Sequence, residues 1–171
     1  MTDGRTFPLA KMCPVIWMLT GGLLLLPVIF FATVVFARSP LALPGALIVA
    51  VYAWTWLRMR PTRFVVSPDA LEVVWPWKRR RIPRAEIASV RLIDAPGLRR
   101  EVGFATRVGV GGLWGGFGWL WSWRRGIVQM YISRTDGFVW IETKSGRPWF
   151  ITPAEPEDFV RALSQFASAA R

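Results

Sequence analysis

Few side chains in this 171-residue sequence could do covalent or acid–base chemistry. It has no histidine and a single cysteine, Cys13. That removes the commonest general base, the commonest metal ligand and any intramolecular disulfide. Glu86, Asp94 and Glu101 are scattered, while Glu155, Glu157 and Asp158 gather where a helix start would favour negative charge. No carboxylates have the spacing of an acid and its base, and no nucleophile stands with one. Ser133 and Ser145 suit a strand end and a turn. No catalytic residue, metal ligand set or cofactor is therefore expected.

What recurs instead is tryptophan beside arginine, in a chain with eleven tryptophans and a formal net charge of +11. The densest cationic run is Lys78-Arg79-Arg80-Arg81 with Arg84, flanked by Trp75 and Trp77. A second group opens at residues 109–118, where six of ten residues are glycine and Leu113, Trp114 and Phe117 are interleaved. Trp119, Trp121 and Trp123 follow on alternate positions, closed by Arg124 and Arg125. No Gly-Lys-Ser/Thr follows the glycines and their spacing is not a dinucleotide fingerprint, so this is not a phosphate loop. If the run is extended, the three rings share a face.

Rings beside guanidinium groups suit the lipid headgroup layer. Basic clusters near a membrane surface attract anionic lipid by about 1 kcal/mol per residue. Each feature also has a plainer reading. The aromatics fill a β-core and cover its open edge, and the basic run is a solvated strand face.

The elements that position these residues begin with two apolar stretches. No charge falls between Met12 and Ala37, and residues 15–36 would extend roughly 33 Å as a helix, enough for a hydrocarbon core of ~30 Å. Gly21, Gly22 and Pro27 suit lipid better than water. After Arg38-Ser39-Pro40 a second run covers residues 41–57, with Pro40 and Pro44 in its first turn and Trp54 and Trp56 near its far end. A cleaved signal peptide ending near Val35 and Ala37 is the competitor, but its apolar core spans only ~7–15 residues and no second run follows.

Residues 14–58 thus read as a transmembrane hairpin, preceded by a cytoplasmic tail over residues 1–13. Arg5 and Lys11 precede it, Arg58, Arg60 and Arg63 follow it, and the tip carries only Arg38. The positive-inside rule then places both ends in the cytoplasm. The Arg, Ala and Pro bias is that of a GC-rich bacterial genome, so the expected location is a bacterial cytoplasmic (inner) membrane.

Residues 62–171 change to short β-like runs between turn signals. The runs are 64–66, 71–75, 79–82, 87–93, 127–133, 138–143 and 149–151, about seven strands. Ser67-Pro68-Asp69 makes a turn, and Thr135-Asp136-Gly137 is a hairpin signal. Residues 103–125 read as a Gly/Trp-rich insertion. Thr152-Pro153-Ala154-Glu155 fits a capping box for a last helix. Its apolar stripe would be Phe159, Val160, Leu163, Phe166 and Ala167.

Short strands closed by one amphipathic helix follow the order of a pleckstrin-homology (PH) domain. The stretches GGLWGGFGW, VQMYISRTDGFVWIET and WFITPAEPEDFV resemble the bacterial PH-domain family that often follows two N-terminal spans. The resemblance covers about residues 64–163. It implies an α+β chain, a two-helix hairpin followed by a split β-barrel with a C-terminal capping helix, acting in binding or assembly. The basic pocket of familiar PH domains centres on the loop between the first two strands. Here that loop, Ser67 to Ala70, holds no basic residue.

The leading expectation is a noncatalytic, membrane-anchored module. It would bind a protein partner, a second copy of itself through Gly21 and Gly22, or anionic lipid. A tethered nucleic-acid-binding domain is the alternative raised by basic and aromatic content. An enzyme or transport accessory subunit is a third, and the lack of charge within either apolar run argues against an ion pathway.

Overall fold

The computed structural model describes residues 4–37 and 42–168. The tip of the helical hairpin, with Arg38 and Pro40, lies outside them, as do the side chains of Phe166 and Ala167 in the expected stripe. Helix α1 (Pro14–Ala37) and helix α2 (Ala42–Trp54) are apolar on every side. Val15, Met18, Leu25, Val28 and Phe36 of α1 and Leu43 and Leu47 of α2 are all exposed. A helix with no polar face suits a lipid surround rather than water.

A π-helical turn, Thr55–Met59, continues α2, so the second apolar helix runs Ala42–Met59, 18 residues. That is about 27 Å. The first runs Pro14–Phe36, 23 residues, and both are long and apolar enough to cross a bilayer. The helices approach at Gly45, where a Cβ would stand 3.2 Å from Phe30. The Tyr52 hydroxyl donates to the Leu23 carbonyl at 2.7 Å, fixing their relative height. Gly21 and Gly22 take no part in this approach; open space surrounds them.

The rest of the chain builds two sheets. The first has the order β1-β2-β3-β4 and is antiparallel throughout: β1 (Arg5–Pro8), β2 (Arg63–Val66), β3 (Ala70–Val74) and β4 (Arg79–Pro83). The second has six strands: β5 (Ile87–Ile93), β6 (Ala105–Gly111), β7 (Gly116–Ser122), β8 (Gly126–Ile132), β9 (Phe138–Thr143) and β10 (Trp149–Ile151). Its order is β5-β9-β10-β8-β7-β6.

Helix α4 (Pro156–Ser168) sends Phe159, Ala162 and Leu163 into the core between the sheets, where Phe159 meets Phe7 and Phe64 edge-on. A second core lies on the other face of the six-stranded sheet. There helix α3 (Ala95–Val102) covers Val128, Met130, Trp140 and Phe150.

The seven expected strands are present within a residue or so of their expected bounds, and three more accompany them. Residues 5–8 are not a free tail: β1 pairs with β2, Phe7 opposite Phe64. Residues 103–125 are not an irregular insertion but the β6–β7 hairpin and its flanks. At its centre Gly109 faces Gly118, with φ of 138° and 130°. A Cβ on Gly109 would lie 2.3 Å from the Phe117 carbonyl oxygen, and one on Gly118 2.5 Å from that of Val108. The glycines let two backbones cross closer than any side chain permits.

Two local expectations give way to longer-range pairing. Thr135-Asp136-Gly137 does turn, with Gly137 at φ 57°. It joins no hairpin, because β10 inserts between β8 and β9, parallel to one and antiparallel to the other. Thr152 caps no helix: its hydroxyl accepts from the Ser133 amide at 2.9 Å, and α4 begins at Pro156. A missed cap lies upstream, where the Asp94 carboxylate accepts from the Gly97 amide at 2.8 Å and starts α3.

Candidate functional site

No slack chain separates the apolar helices from the barrel. Strands β1 and β2 are neighbours; residues 9–13 lead from β1 into α1, and residues 60–62 lead from the second apolar helix into β2. The Leu9 amide donates to the Thr62 carbonyl, Ala10 to Thr152 and Cys13 to Ser133, while the Ser133 hydroxyl donates to the Ala10 carbonyl at 2.6 Å. On the other side Thr62 donates to the Val74 carbonyl, and the Trp75 indole N–H donates to the Met59 carbonyl at 3.1 Å.

These bonds give the barrel a helix-proximal and a distal end. The β3–β4 turn, Trp75 to Lys78, is proximal. The β2–β3 turn, Ser67 to Asp69, is distal.

The β6–β7 hairpin makes a third junction. Its tip reaches α1, where the Thr20 hydroxyl donates to the Gly112 carbonyl at 2.8 Å and accepts from the Trp114 amide at 2.9 Å. Thr20 lies six residues beyond Pro14, about 9 Å along the helix axis. Trp114, at φ 59° in the left-handed region, packs edge-on against Trp56 and Tyr52 of the second apolar helix. A non-glycine residue there costs about 1–2 kcal/mol, which the two hydrogen bonds and the ring contacts offset.

The aromatic and basic residues singled out by sequence are thus sorted by position. Trp75 and Phe117 are 3 % and 0 % exposed and belong to the core, not to a contact surface. Trp114 is the wedge against the helices. Trp119 and Trp121 continue the face of Phe117 beyond the barrel, each 45 % exposed. Val108, Ile127 and Arg147 complete a groove of about 230 Å³ around them. Trp121 is five residues along β7 from Gly116 at the hairpin tip, about 17 Å of extended strand. The outer part of the run therefore leads away from the helices.

Trp123, Arg124 and Arg125 occupy the distal β7–β8 turn. Arg124 donates to the Arg100 carbonyl, and Arg125 pairs with both Glu101 and Glu142. Trp123 leaves the shared face and stacks edge-on against Trp121.

The basic run divides in the same way. Arg80 and Ile82 lie on the core side of β4, across from Val73 and Leu71, while Arg79 and Arg81 lie on the other, Arg81 opposite Glu72. Arg84 is distal, its amide donating to the Asp69 carbonyl; burial pushes its guanidinium below the ordinary value.

At the proximal end the Lys78 ammonium sits over Trp75 at 4.6 Å and the Arg80 guanidinium over Trp149 at 4.9 Å. Arg58, at the end of the second apolar helix, sits over Trp54 at 4.9 Å, and Arg60 over Trp56 at 4.4 Å. Trp75, Tyr131 and Trp149 form one row of rings, with centroids 5.3 and 5.6 Å apart, and the Trp75 indole bonds Met59 next to Arg58, so the three cations gather at one end of the barrel. Burial lowers the Lys78 pKa, and the charges of Arg58 and Arg80 lower it further. Sequence reasoning read Arg58 and Arg60 only as flanking charge. The signal that could have found them is the repeated Trp-to-Arg spacing of four, which stacks each pair on one helix face.

The family model of the bacterial PH domain matches residues 62–167. Comparison with curated proteins and with solved structures gives no match. The matched span begins at the junction with α2 and ends within α4, so it takes in β2 to β10 and the closing helix, while β1 is supplied from before the apolar helices. The chain belongs to the bacterial PH-domain family, and its barrel is by that membership an interaction module of a generally noncatalytic kind.

Proposed function

We propose that this chain is a noncatalytic, membrane-anchored PH module that presents a protein-binding face at the inner surface of a bacterial cytoplasmic membrane. The observation that carries the reading is the docking of the hairpin tip on Thr20, together with the hydrogen bonds that join both helices to the barrel. A domain tethered for location alone would need only a flexible linker. Here the domain is held in one orientation, which is useful when a binding face must meet a partner that is also fixed in the membrane.

That face is the groove around Trp119 and Trp121. Its rings lie on the side of the sheet that is core elsewhere, and they are left uncovered beside Arg147. Exposed aromatic area of this kind supplies the buried centre of protein interfaces. Both chain ends on the cytoplasmic side follow from Arg58 in the last turn of the second helix and Arg60 and Arg63 beyond it.

Alkaline carbonate should leave the full chain in the membrane fraction, and its release would overturn the anchor. With Cys13→Ser in place, Ser145→Cys should react with an impermeant maleimide in inverted vesicles and not in intact cells. The reverse result would refute the orientation. A photo-crosslinker at Trp121 should capture a membrane-protein partner, and the adduct should vanish when Trp119 is changed to Ala. A crosslinker that reports lipid alone would overturn the protein-binding face.

A further inference from the structure

We propose that Arg58, Lys78 and Arg80 form a phosphate-binding site for the headgroup of an anionic phospholipid, where the second apolar helix meets the β3–β4 turn. The site rests on the membrane anchor proposed above and lies apart from the Trp119 groove. Three observations carry it.

First, the cluster has cations and, among the described residues, no paired carboxylate. Ion pairs among the described residues use Arg91, Arg125, Arg134 and Arg161, and none involves Arg58, Lys78 or Arg80. Holding like charges together is unfavourable unless an anion completes the set. Burial lowers the Lys78 pKa, and the nearby charges of Arg58 and Arg80 lower it further.

Second, each cation rests on an indole face: Arg58 on Trp54, Lys78 on Trp75 and Arg80 on Trp149. Stacking holds a guanidinium by its plane and leaves its N–H edge free for the paired hydrogen bonds that a phosphate accepts.

Third, the place fits a lipid. Arg58 lies in the last turn of an apolar helix long enough to span, and the Trp75 indole ties the β3–β4 turn to that helix end at 3.1 Å. Next to the cluster, a groove of about 510 Å³ lined by Arg63, Arg79 and the exposed Trp77 shares Lys78 with it. A headgroup phosphate at this level would have its acyl chains beside the barrel-side half of α2, where Val51 and Trp54 are exposed. The β2–β3 turn, distal and without a basic residue, offers no such arrangement.

The test uses the full chain in detergent micelles with phosphatidylglycerol or phosphatidylcholine added, and counts retained lipid by native mass spectrometry. The wild type should retain phosphatidylglycerol preferentially. Arg58→Gln, Lys78→Gln and Arg80→Gln together should lower that retention roughly a hundredfold, the equivalent of about 1 kcal/mol for each basic residue. A matched control, Arg5→Gln with Arg99→Gln and Arg107→Gln, removes equal charge elsewhere and should leave retention unchanged. Arg58→Lys with Arg80→Lys keeps the charge without the paired N–H edge and should recover part of it, which separates loss of charge from loss of fold.

Equal losses in the triple variant and the matched control would overturn the site, leaving only diffuse attraction. Absence of preference in the wild type would do the same. Full competition by excess inorganic phosphate would overturn the lipid as its source. Failure of the chain to enter micelles or membranes would instead refute the anchor, a result distinct from all of these.

Discussion

The β3–β4 turn and the β7–β8 turn each bring tryptophan and arginine together, at opposite ends of the barrel. At the first, the cations lie over indole faces and meet no carboxylate among the described residues. At the second, Arg125 is neutralised by Glu101 and Glu142, and Arg91 shares Glu101. The rings differ too: Trp75 is sealed in the core, whereas Trp121 and Trp123 stand in the open. Similar composition therefore yields a site with unbalanced charge, whose Trp75 is covered though Trp54 and Trp77 are not, and another with paired charge and uncovered rings. The first suits an anion and the second an apolar partner.

The largest expected way to break this contrast is Gly118→Val. A Cβ there would meet the Val108 carbonyl oxygen at 2.5 Å from a backbone at φ 130°, so the β6–β7 hairpin cannot close. A loss of roughly 3 kcal/mol or more in thermal unfolding is expected. The Trp121 crosslink should disappear while retention of phosphatidylglycerol persists; joint loss of both would show the two regions to be one.

Thr20→Val comes next. It leaves the Trp114 amide and the Gly112 carbonyl without their partner and should cost about 1–3 kcal/mol. Hydrogen exchange at the Trp114 amide should quicken, and Thr20→Ser should restore its protection. An unchanged rate in Thr20→Val would mean the tip is held by its rings alone.

The smallest effect is expected from Glu101→Gln. The pair with Arg125 is partly exposed, so stability should fall by about 1 kcal/mol or less. The variant sharpens the comparison because it unbalances the second region. Retention of anionic lipid should stay unchanged, because this turn is at the distal end of the barrel, beyond a Debye length of ~8–10 Å. A gain would mean that the charge of the two regions is shared rather than local.

How much of this was legible in the chain varies with the range of the cause. The strands 87–93, 138–143 and 149–151 coincide with alternating or β-branched runs, because burial on a pleated face leaves a local record. The apolar helices are legible for the same reason. The β6–β7 hairpin was not, since its glycines answer to backbone contact across the pair Gly109 and Gly118 rather than to a periodic pattern. The Thr135-Asp136-Gly137 turn was right as a turn and wrong as a hairpin: turn chemistry fixes four residues, not which strand pairs beside them.

The same division runs through the functional residues. Sequence alone determined that the chain is basic, rich in tryptophan, without histidine, and begins with two helices long enough to span a bilayer, because these are matters of composition and length. It also carried the family's order of strands and closing helix. Only the tertiary structure decided that Trp75 and Phe117 are core, that Arg125 is balanced, and that Arg58 joins Lys78 and Arg80 across 20 residues of chain. Whether a charge is free depends on which carboxylate the fold brings within a few ångströms, and proximity of that kind is set by packing rather than by order along the chain.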